Sequence, residues 1–230
     1  MTTVKCGTKV LARLRLLACG LTLLAGCSQE PLTAADPHAD LPVPKRSSHA
    51  GSFISKSING VEAPLRLELK TTVRADISDV LAFYRVELGK RSWREKPDDT
   101  VVAADHAQLA FVSPKGPATL RLGVKDETTI DLVQRNTEAA AKANVLPTSG
   151  QARLIFGYLR PDVASLVIND QTIEIAGGIN HPQMLDLPPG TYPFELRVSG
   201  RLLRTDTITV AAGEAWSLTF DDDRKSDQIY

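Results

Sequence analysis

The sequence predicts an α+β fold: a small antiparallel sheet with one helix, followed by a β-sandwich. Three observations lead to this prediction. One helical stripe of apolar residues lies between Asp76 and Trp93, strand-like alternation stands on both sides of it, and the pattern from Gln151 onward is all β. The chain has 230 residues with 43% hydrophobic and 5% aromatic content, so its cores depend on Leu, Val, Ile and Ala.

The first predicted domain covers residues 52–135. Residues 63–73 alternate leucines with charged residues, which is typical of a half-buried strand. Asp76 is a predicted N-cap with Asp79 as a short capping box, and a buried stripe follows at Ile77, Val80, Leu81, Tyr84 and Leu88. Trp93 is expected to pack just after the helix. Three further strands are predicted at residues 107–112, 118–124 and 128–134.

Residues 136–150 are predicted to be a linker or a short helix, because an Ala-rich run is broken by Pro147 and Gly150. From residue 151 to 230, turn signals recur about every 8–12 residues, as in a β-sandwich. Asn169–Asp170 is a tight hairpin signal, and Pro188–Gly190 predicts another turn. The loop-like linker suggests two domains that do not pack rigidly.

Residues 1–26 are predicted to be a signal peptide. The basic residues Lys5 to Arg15 precede a short apolar run, residues 16–25, which is shorter than the about 20 residues of a membrane span. The segment Leu24 to Cys27, "LAGC", resembles the lipobox of bacterial lipoproteins. The resemblance implies a diacylglyceryl group on Cys27, cleavage between Gly26 and Cys27, and acylation of the new amino terminus.

The resemblance extends to localisation, because Ser28 follows the lipidated residue where Asp tends to mark retention at the inner membrane. It therefore implies an outer-membrane lipoprotein that faces the periplasm. Residues 27–51 contain prolines and small polar residues without periodicity, which predicts a flexible tether with a reach of roughly 70 Å. The membrane is thus a predicted partner, through the lipid anchor.

Residues 185–220 resemble a PEGA-type domain, a small immunoglobulin-like sandwich of bacterial surface proteins. The resemblance rests on "LPPGTYPFELRVSG" and the strands that follow it, although the tetrapeptide "PEGA" is not present. The family implies an immunoglobulin-like β-sandwich and says almost nothing about activity.

The sequence predicts no catalytic, cofactor-binding or metal-binding residues. His38, His49, His106 and His181 lack the spacing of zinc ligands, and no serine-hydrolase or phosphate-loop motif occurs. The acidic residues 221–227 could gather calcium, but a solvated tail is the simpler interpretation. Tyr192 and Trp216 could form a glycan-binding face, although their phase with apolar neighbours favours the sandwich core.

These observations predict a non-enzymatic binding, adaptor or assembly module of the envelope with a protein partner. Edge strands of the sheet and the sandwich could serve β-augmentation. The mildly acidic chain that remains after loss of the basic leader argues against a nucleic-acid partner. Two alternatives stay open: a hydrolase acting on cell-wall or peptide substrates, with a deep pocket between its domains, and a glycan- or peptidoglycan-binding module.

Overall fold

A computed structural model describes residues 30–56, 63–157, 163–175, 182–220 and 226–230 of the chain. Of these residues 54% lie in strands and 11% in helices, so the fold is mostly β. The predicted α+β class is therefore wrong. The sequence-based prediction weighed the order of elements, whereas the two helices contribute few residues and most of the backbone is paired in sheets.

Two edge strands account for much of the difference. The first strand, β1 (Ser47–Lys56), begins inside the segment predicted as a tether, and β3 (Arg94–Val102) is largely exposed and polar. Neither strand shows the clean alternation that a half-buried strand requires, because an edge strand buries less of its surface.

The first part of the fold is a six-stranded antiparallel sheet with the strand order β1-β2-β6-β5-β4-β3. Its other strands are β2 (Arg66–Val73), β4 (His106–Ser113), β5 (Gly116–Val124) and β6 (Thr128–Arg135). Alternate residues of these strands, including Leu69, Leu109, Leu120 and Leu132, are buried beneath one helix. The opposite face carries mainly charged and polar side chains.

The helix α1 (Ile77–Lys90) covers the apolar face of the sheet. Its predicted stripe is confirmed, since all five residues of that stripe are buried. Asp76 occupies the N-cap position, but its side chain makes no capping hydrogen bond, so the predicted capping box is wrong. Trp93 is buried just beyond the helix and contacts Phe111 edge to face, with 6.1 Å between ring centroids.

Residues 31–46, which we call the strap, also pack against this core. Leu41 is 1% exposed, and Leu32, Ala34 and Val43 add partly buried contacts. Backbone hydrogen bonds hold the strap in a closed loop, from Ala35 N to Val43 O at 2.7 Å and from Lys45 N to Thr33 O at 2.9 Å. The predicted flexible tether of residues 27–51 therefore needs correction in its described part, because these apolar side chains gain more by burial than the loop loses in entropy.

The second part of the fold consists of two four-stranded sheets around a shared apolar core. One sheet has the order β10-β7-β13-β14, and the other has the order β12-β11-β8-β9. This arrangement is consistent with the predicted β-sandwich. The strands are β7 (Ala152–Phe156), β8 (Ala164–Ile168), β9 (Gln171–Ile175), β10 (Gln183–Leu187), β11 (Gly190–Val198), β12 (Arg201–Val210), β13 (Ala215–Leu218) and β14 (Asp227–Gln228).

The predicted hairpin at Asn169–Asp170 is confirmed. Both residues have positive φ angles, 51° and 61°, and they join the antiparallel strands β8 and β9. Positive φ at both central positions matches the twist of the flanking strands, and Asn and Asp tolerate it better than most residues do.

The segment predicted as a linker, residues 136–150, contains the short helix α2 (Thr137–Lys142), whose N-cap Asn136 accepts a hydrogen bond from Ala139 N at 3.0 Å. A third apolar cluster brings this segment together with Leu65, just before β2, and with the second part of the fold. Its buried members are Leu65, Ala139, Ala140, Val145, Ile155, Ala215, Ile229 and Tyr230. Tyr230 also contacts α2 through a 3.0 Å hydrogen bond between its hydroxyl and that of Thr137.

An ion pair fixes the end of this segment to β10. Arg153 donates two hydrogen bonds to the Asp186 carboxylate, at 2.7 and 2.9 Å, and a third to the backbone oxygen of Asn144 at 3.1 Å. The Thr148 hydroxyl donates to the same carboxylate at 2.6 Å. These donors, the Arg153 guanidinium first, hold the pKa of Asp186 well below its usual range.

We expect Leu41→Ala to lower the free energy of unfolding by about 2–5 kcal/mol, the usual result of truncating a buried leucine. The measurement is urea denaturation of the chain without its predicted signal. Thr33→Ala, at an exposed strap position, is the control and should change stability by less than about 0.5 kcal/mol. Equal stabilities of wild type and Leu41→Ala would show that the strap does not pack.

Asp186→Asn should lower the free energy of unfolding by about 1–3 kcal/mol, because Arg153 would lose its charged partner in a half-buried site. The matched control is Glu138→Gln, which removes the exposed ion pair between Glu138 and Lys142 on α2 and should have almost no effect. Similar losses in the two variants would contradict the assigned role of Asp186.

Candidate functional site

A broad concave surface lies on the face of the six-stranded sheet away from α1. We call it the open-face groove. It has a volume of about 640 Å³ and crosses the strands β2, β6 and β5. Side chains of the three strands line it, chiefly Lys70, Arg121, Thr129 and Asp131, with Ser48 of β1 at one end. A volume of this size lies within the range of ligand-binding clefts.

Strand register sets the order of charges in the groove. Lys70 pairs with Asp131 between β2 and β6, and Asp131 pairs with Arg121 between β6 and β5. Side chains directly opposite each other on neighbouring antiparallel strands have Cβ atoms about 5 Å apart. The groove floor therefore presents a cation, a carboxylate and a second cation in a row.

Asp131 is the least satisfied member of this row. Its Oδ1 atom is buried and has no hydrogen-bond partner within the described parts of the chain. Burial, and secondarily the nearby Glu68 carboxylate, raises the pKa of Asp131, whereas Lys70 and Arg121 oppose that shift. A carboxylate with an unused buried acceptor can receive a donor from a bound partner.

The other members of the row are held in place by neighbours. Glu68 accepts from Lys70 at 2.7 Å and contacts Arg66 at 3.3 Å, and the hydrogen bond with Glu68 raises the pKa of Lys70. Arg121 donates from Nε to the side-chain oxygen of Gln108 at 3.1 Å. These contacts fix the positions of both cations before any partner binds.

A cluster around Glu127 closes the end of the groove near β1. Its carboxylate accepts hydrogen bonds from the hydroxyls of Thr72 and Ser48 and from Arg74 Nε, each at 2.7 Å. The two hydroxyls also contact each other. These hydrogen bonds, that of Thr72 first, lower the pKa of Glu127 to about 2. The cluster ties β1 to the turn between β5 and β6 and so shapes the end of the groove.

The sheet edges differ in how open they are to another strand. The edge strand β3 carries Lys96, Pro97, Asp98 and Asp99, and its pairing with β4 shifts between Lys96 and Val101. Charges, proline and irregular pairing are the usual means of protecting an edge. The edge strand β12 has ten residues and exposes Leu202 by 55%, so it is the more accessible of these two edges.

Several sequence-predicted positions lie elsewhere. Gly26 and Cys27, the predicted cleavage and lipidation residues, lie outside the described residues, as do His181 and residues 221–225. His106 is exposed and contacts Asp105 at 2.7 Å. Asp227, predicted as part of a solvated tail, instead lies in β14 and accepts a hydrogen bond from Lys56 at 2.8 Å.

Tyr192 and Trp216 are half-buried and pack against the core of the second part, on β11 and β13. Their polar atoms are also engaged, since the Tyr192 hydroxyl donates to Pro188 O at 2.8 Å and Trp216 Nε1 donates to Glu214 at 2.9 Å. The packing agrees with the interpretation of both residues as core members.

Within the described ranges, no group of three or more His, Cys, Asp or Glu side chains is placed to hold a metal ion. No helix there is both long and apolar enough to cross a bilayer. No protein-family model matches the chain, and a search of curated proteins returns no match.

Sequence reasoning missed the groove and the Glu127 cluster. Asp131 lies in the strand predicted at residues 128–134, and Glu127 lies between this strand and the one predicted at residues 118–124. The available signal was alternation: in β2, β5 and β6 the residues between the buried positions are charged or polar on all three strands.

The low pKa of Glu127 predicts acid-sensitive stability. Because the folded-state pKa lies below the unfolded value of about 4.3, the contribution is present above that value and is lost as pH falls through about 2. The free energy of unfolding of wild type should exceed that of Glu127→Gln at pH 6, and the difference should shrink between pH 4.5 and pH 2. A pH-independent difference would contradict the assigned charge-assisted bonds; Glu138→Gln is the control at an exposed carboxylate.

Proposed function

We propose that the chain is an outer-membrane lipoprotein whose folded part is a non-enzymatic binding module facing the periplasm, with its C-terminal part a PEGA-like β-sandwich. The lipobox-like segment ending at Cys27 supports the anchor. The observation that carries the binding role is the open-face groove, because its row of fixed charges is already ordered and one carboxylate oxygen in it has no partner.

The charge order in the groove defines the chemistry of the partner. A protein segment that places a basic side chain against Asp131, with acidic side chains on either side, would complement Lys70 and Arg121. Electrostatic complementarity of this kind contributes mainly specificity and association rate. The occupant is therefore an extended segment of an envelope protein that carries both charges, and the module acts as an adaptor or assembly factor.

The alternative functions have less support. A hydrolase would need a deep pocket between the two parts of the fold, whereas the cleft lined there by Arg66, Arg135, Glu214 and Gln228 has a volume of about 90 Å³. Ligand clefts are usually several times larger. A glycan-binding face would use exposed aromatic rings, whereas Tyr192 and Trp216 are half-buried and pack against the core.

Site-directed crosslinking in intact cells tests the proposal. A photo-crosslinking residue at Thr129, an exposed groove position, should capture one or a few protein neighbours, and Arg121→Glu should abolish the capture by reversing a groove charge. Mass spectrometry of the protein that carries the crosslinker should find a lipidated Cys27 as its first residue.

The controls separate the two halves of the proposal. The same crosslinker at exposed Thr207 on β12 should not capture these neighbours, and Arg201→Glu, a charge reversal at an exposed site on the same strand, should leave the Thr129 capture intact. A lipidated chain without any protein neighbour at Thr129 would overturn the binding role. An uncut, unmodified N-terminus would overturn the anchor.

A further inference from the structure

A second cavity, of about 330 Å³, lies on the helix side of the same sheet, apart from the open-face groove. Residues 37–40 of the strap form one wall, and the turn between β4 and β5 forms another. The lining includes the buried Trp93 beyond α1, and Lys115 and Gln134 supply polar groups. The cavity is large enough for a small organic molecule.

Gln134 brings an unused acceptor to this cavity. The residue is 4% exposed, and its Nε2 donates to Ser113 Oγ at 3.0 Å. The Ser113 hydroxyl donates to Gly116 O at 2.8 Å, so its oxygen acts as the acceptor toward Gln134 and toward two backbone N–H groups. This arrangement fixes the orientation of the amide and leaves Gln134 Oε1 without a partner among the described residues.

Lys115 brings a cation that is paired with the strap. Its ammonium group donates to the Asp40 carboxylate at 3.0 Å, and the two side chains are 42% and 64% exposed. An exposed ion pair of this kind contributes little to stability. A carboxylate from a bound molecule can therefore take the place of Asp40.

The remaining cation of the cavity has a structural role. Arg91 donates to Ala39 O at 3.1 Å and to Pro37 O at 2.9 Å, and it also donates to the backbone and side chain of Glu87. These bonds hold the strap against the end of α1. Arg91 thus fixes the wall of the cavity. Lys115, in contrast, has a partner that can be exchanged, and Gln134 Oε1 has no partner among the described residues.

From this arrangement we propose that the cavity binds the carboxylate end of a peptide or of an N-acylated amino acid. The terminal amide N–H donates to Gln134 Oε1, the terminal carboxylate replaces Asp40 on Lys115, and a small apolar side chain packs against Trp93. The match is specific because a single terminal residue carries both the N–H donor and the carboxylate. Lys115 N and Gln134 Nε2 both donate to the same Ser113 oxygen within 3.2 Å, so the two residues that carry the recognition groups adjoin each other.

Titration of the chain without its predicted signal with N-acetyl-alanyl-alanine tests this site, with binding followed by the fluorescence of tryptophan and by calorimetry. We expect saturable binding of the acid, and binding of its methyl ester that is weaker by up to about fivefold, the most that one exposed ion pair contributes. A protein chain end and a cell-wall stem peptide both carry the recognised groups. Titrations with the L,L and the D,D forms of the dipeptide distinguish these two sources.

Substitutions of the two residues of this ion pair, Lys115 and Asp40, should have opposite effects on binding of the acid. Lys115→Ala should weaken binding of the acid by up to about fivefold and leave binding of the ester unchanged, whereas Asp40→Asn should strengthen binding of the acid by removing its competitor. Lys142→Ala, which breaks a similar exposed ion pair on α2, is the matched control and should change neither.

Gln134→Leu should weaken binding of the acid and binding of the ester equally, because both molecules offer the same N–H donor. A thermal melt identifies any loss of folding in this buried variant, and Lys115→Ala and Asp40→Asn, at exposed positions, keep the test valid in that case. No saturable binding of either stereoisomer, or binding that is insensitive to both Lys115→Ala and Asp40→Asn, would overturn the proposal.

Discussion

The arrangement of the first part of the fold depends on one constraint: a six-stranded sheet has a single long helix to cover its apolar face. Six strands at about 4.8 Å spacing span about 24 Å, whereas a helix with side chains is about 10 Å wide. The helix α1 therefore covers only part of that face. The strap fills much of the rest with Leu41 and its neighbours. The opposite face is mainly charged, and its residues Arg66 and Arg135 contact the second part of the fold.

This constraint also explains where the two cavities lie. The smaller cavity forms where the strap, the end of α1 and the β4–β5 turn meet without filling the space above Gln134. The open-face groove forms on the opposite side, where the sheet carries Lys70, Asp131 and Arg121 in register. Both sites therefore follow from incomplete layering of one sheet, and they use different chemistry because one lies over the buried face and the other over the solvent-facing one.

Local patterns predicted the elements that bury one face. The stripe of α1, the alternation of β2 and the Asn169–Asp170 hairpin are all visible in short stretches of sequence and are present in the structure. The edge strands β1 and β3 and the strap were not predicted, because their pairing and burial come from distant residues. The groove was missed for the same reason: Lys70 and Asp131 are neighbours only through the pairing of β2 with β6.

The docked strap changes the geometry of anchoring. With Cys27 as the proposed lipid attachment site, only three residues separate it from Pro31, where the strap begins. A fully extended chain over these four steps spans at most about 14 Å. A long tether would let the binding module search the periplasm, whereas this short connection keeps it next to the lipid headgroups. If Cys27 carries the proposed anchor, the partner would present the recognised segment close to the bilayer surface, as an integral, lipidated or membrane-apposed protein would.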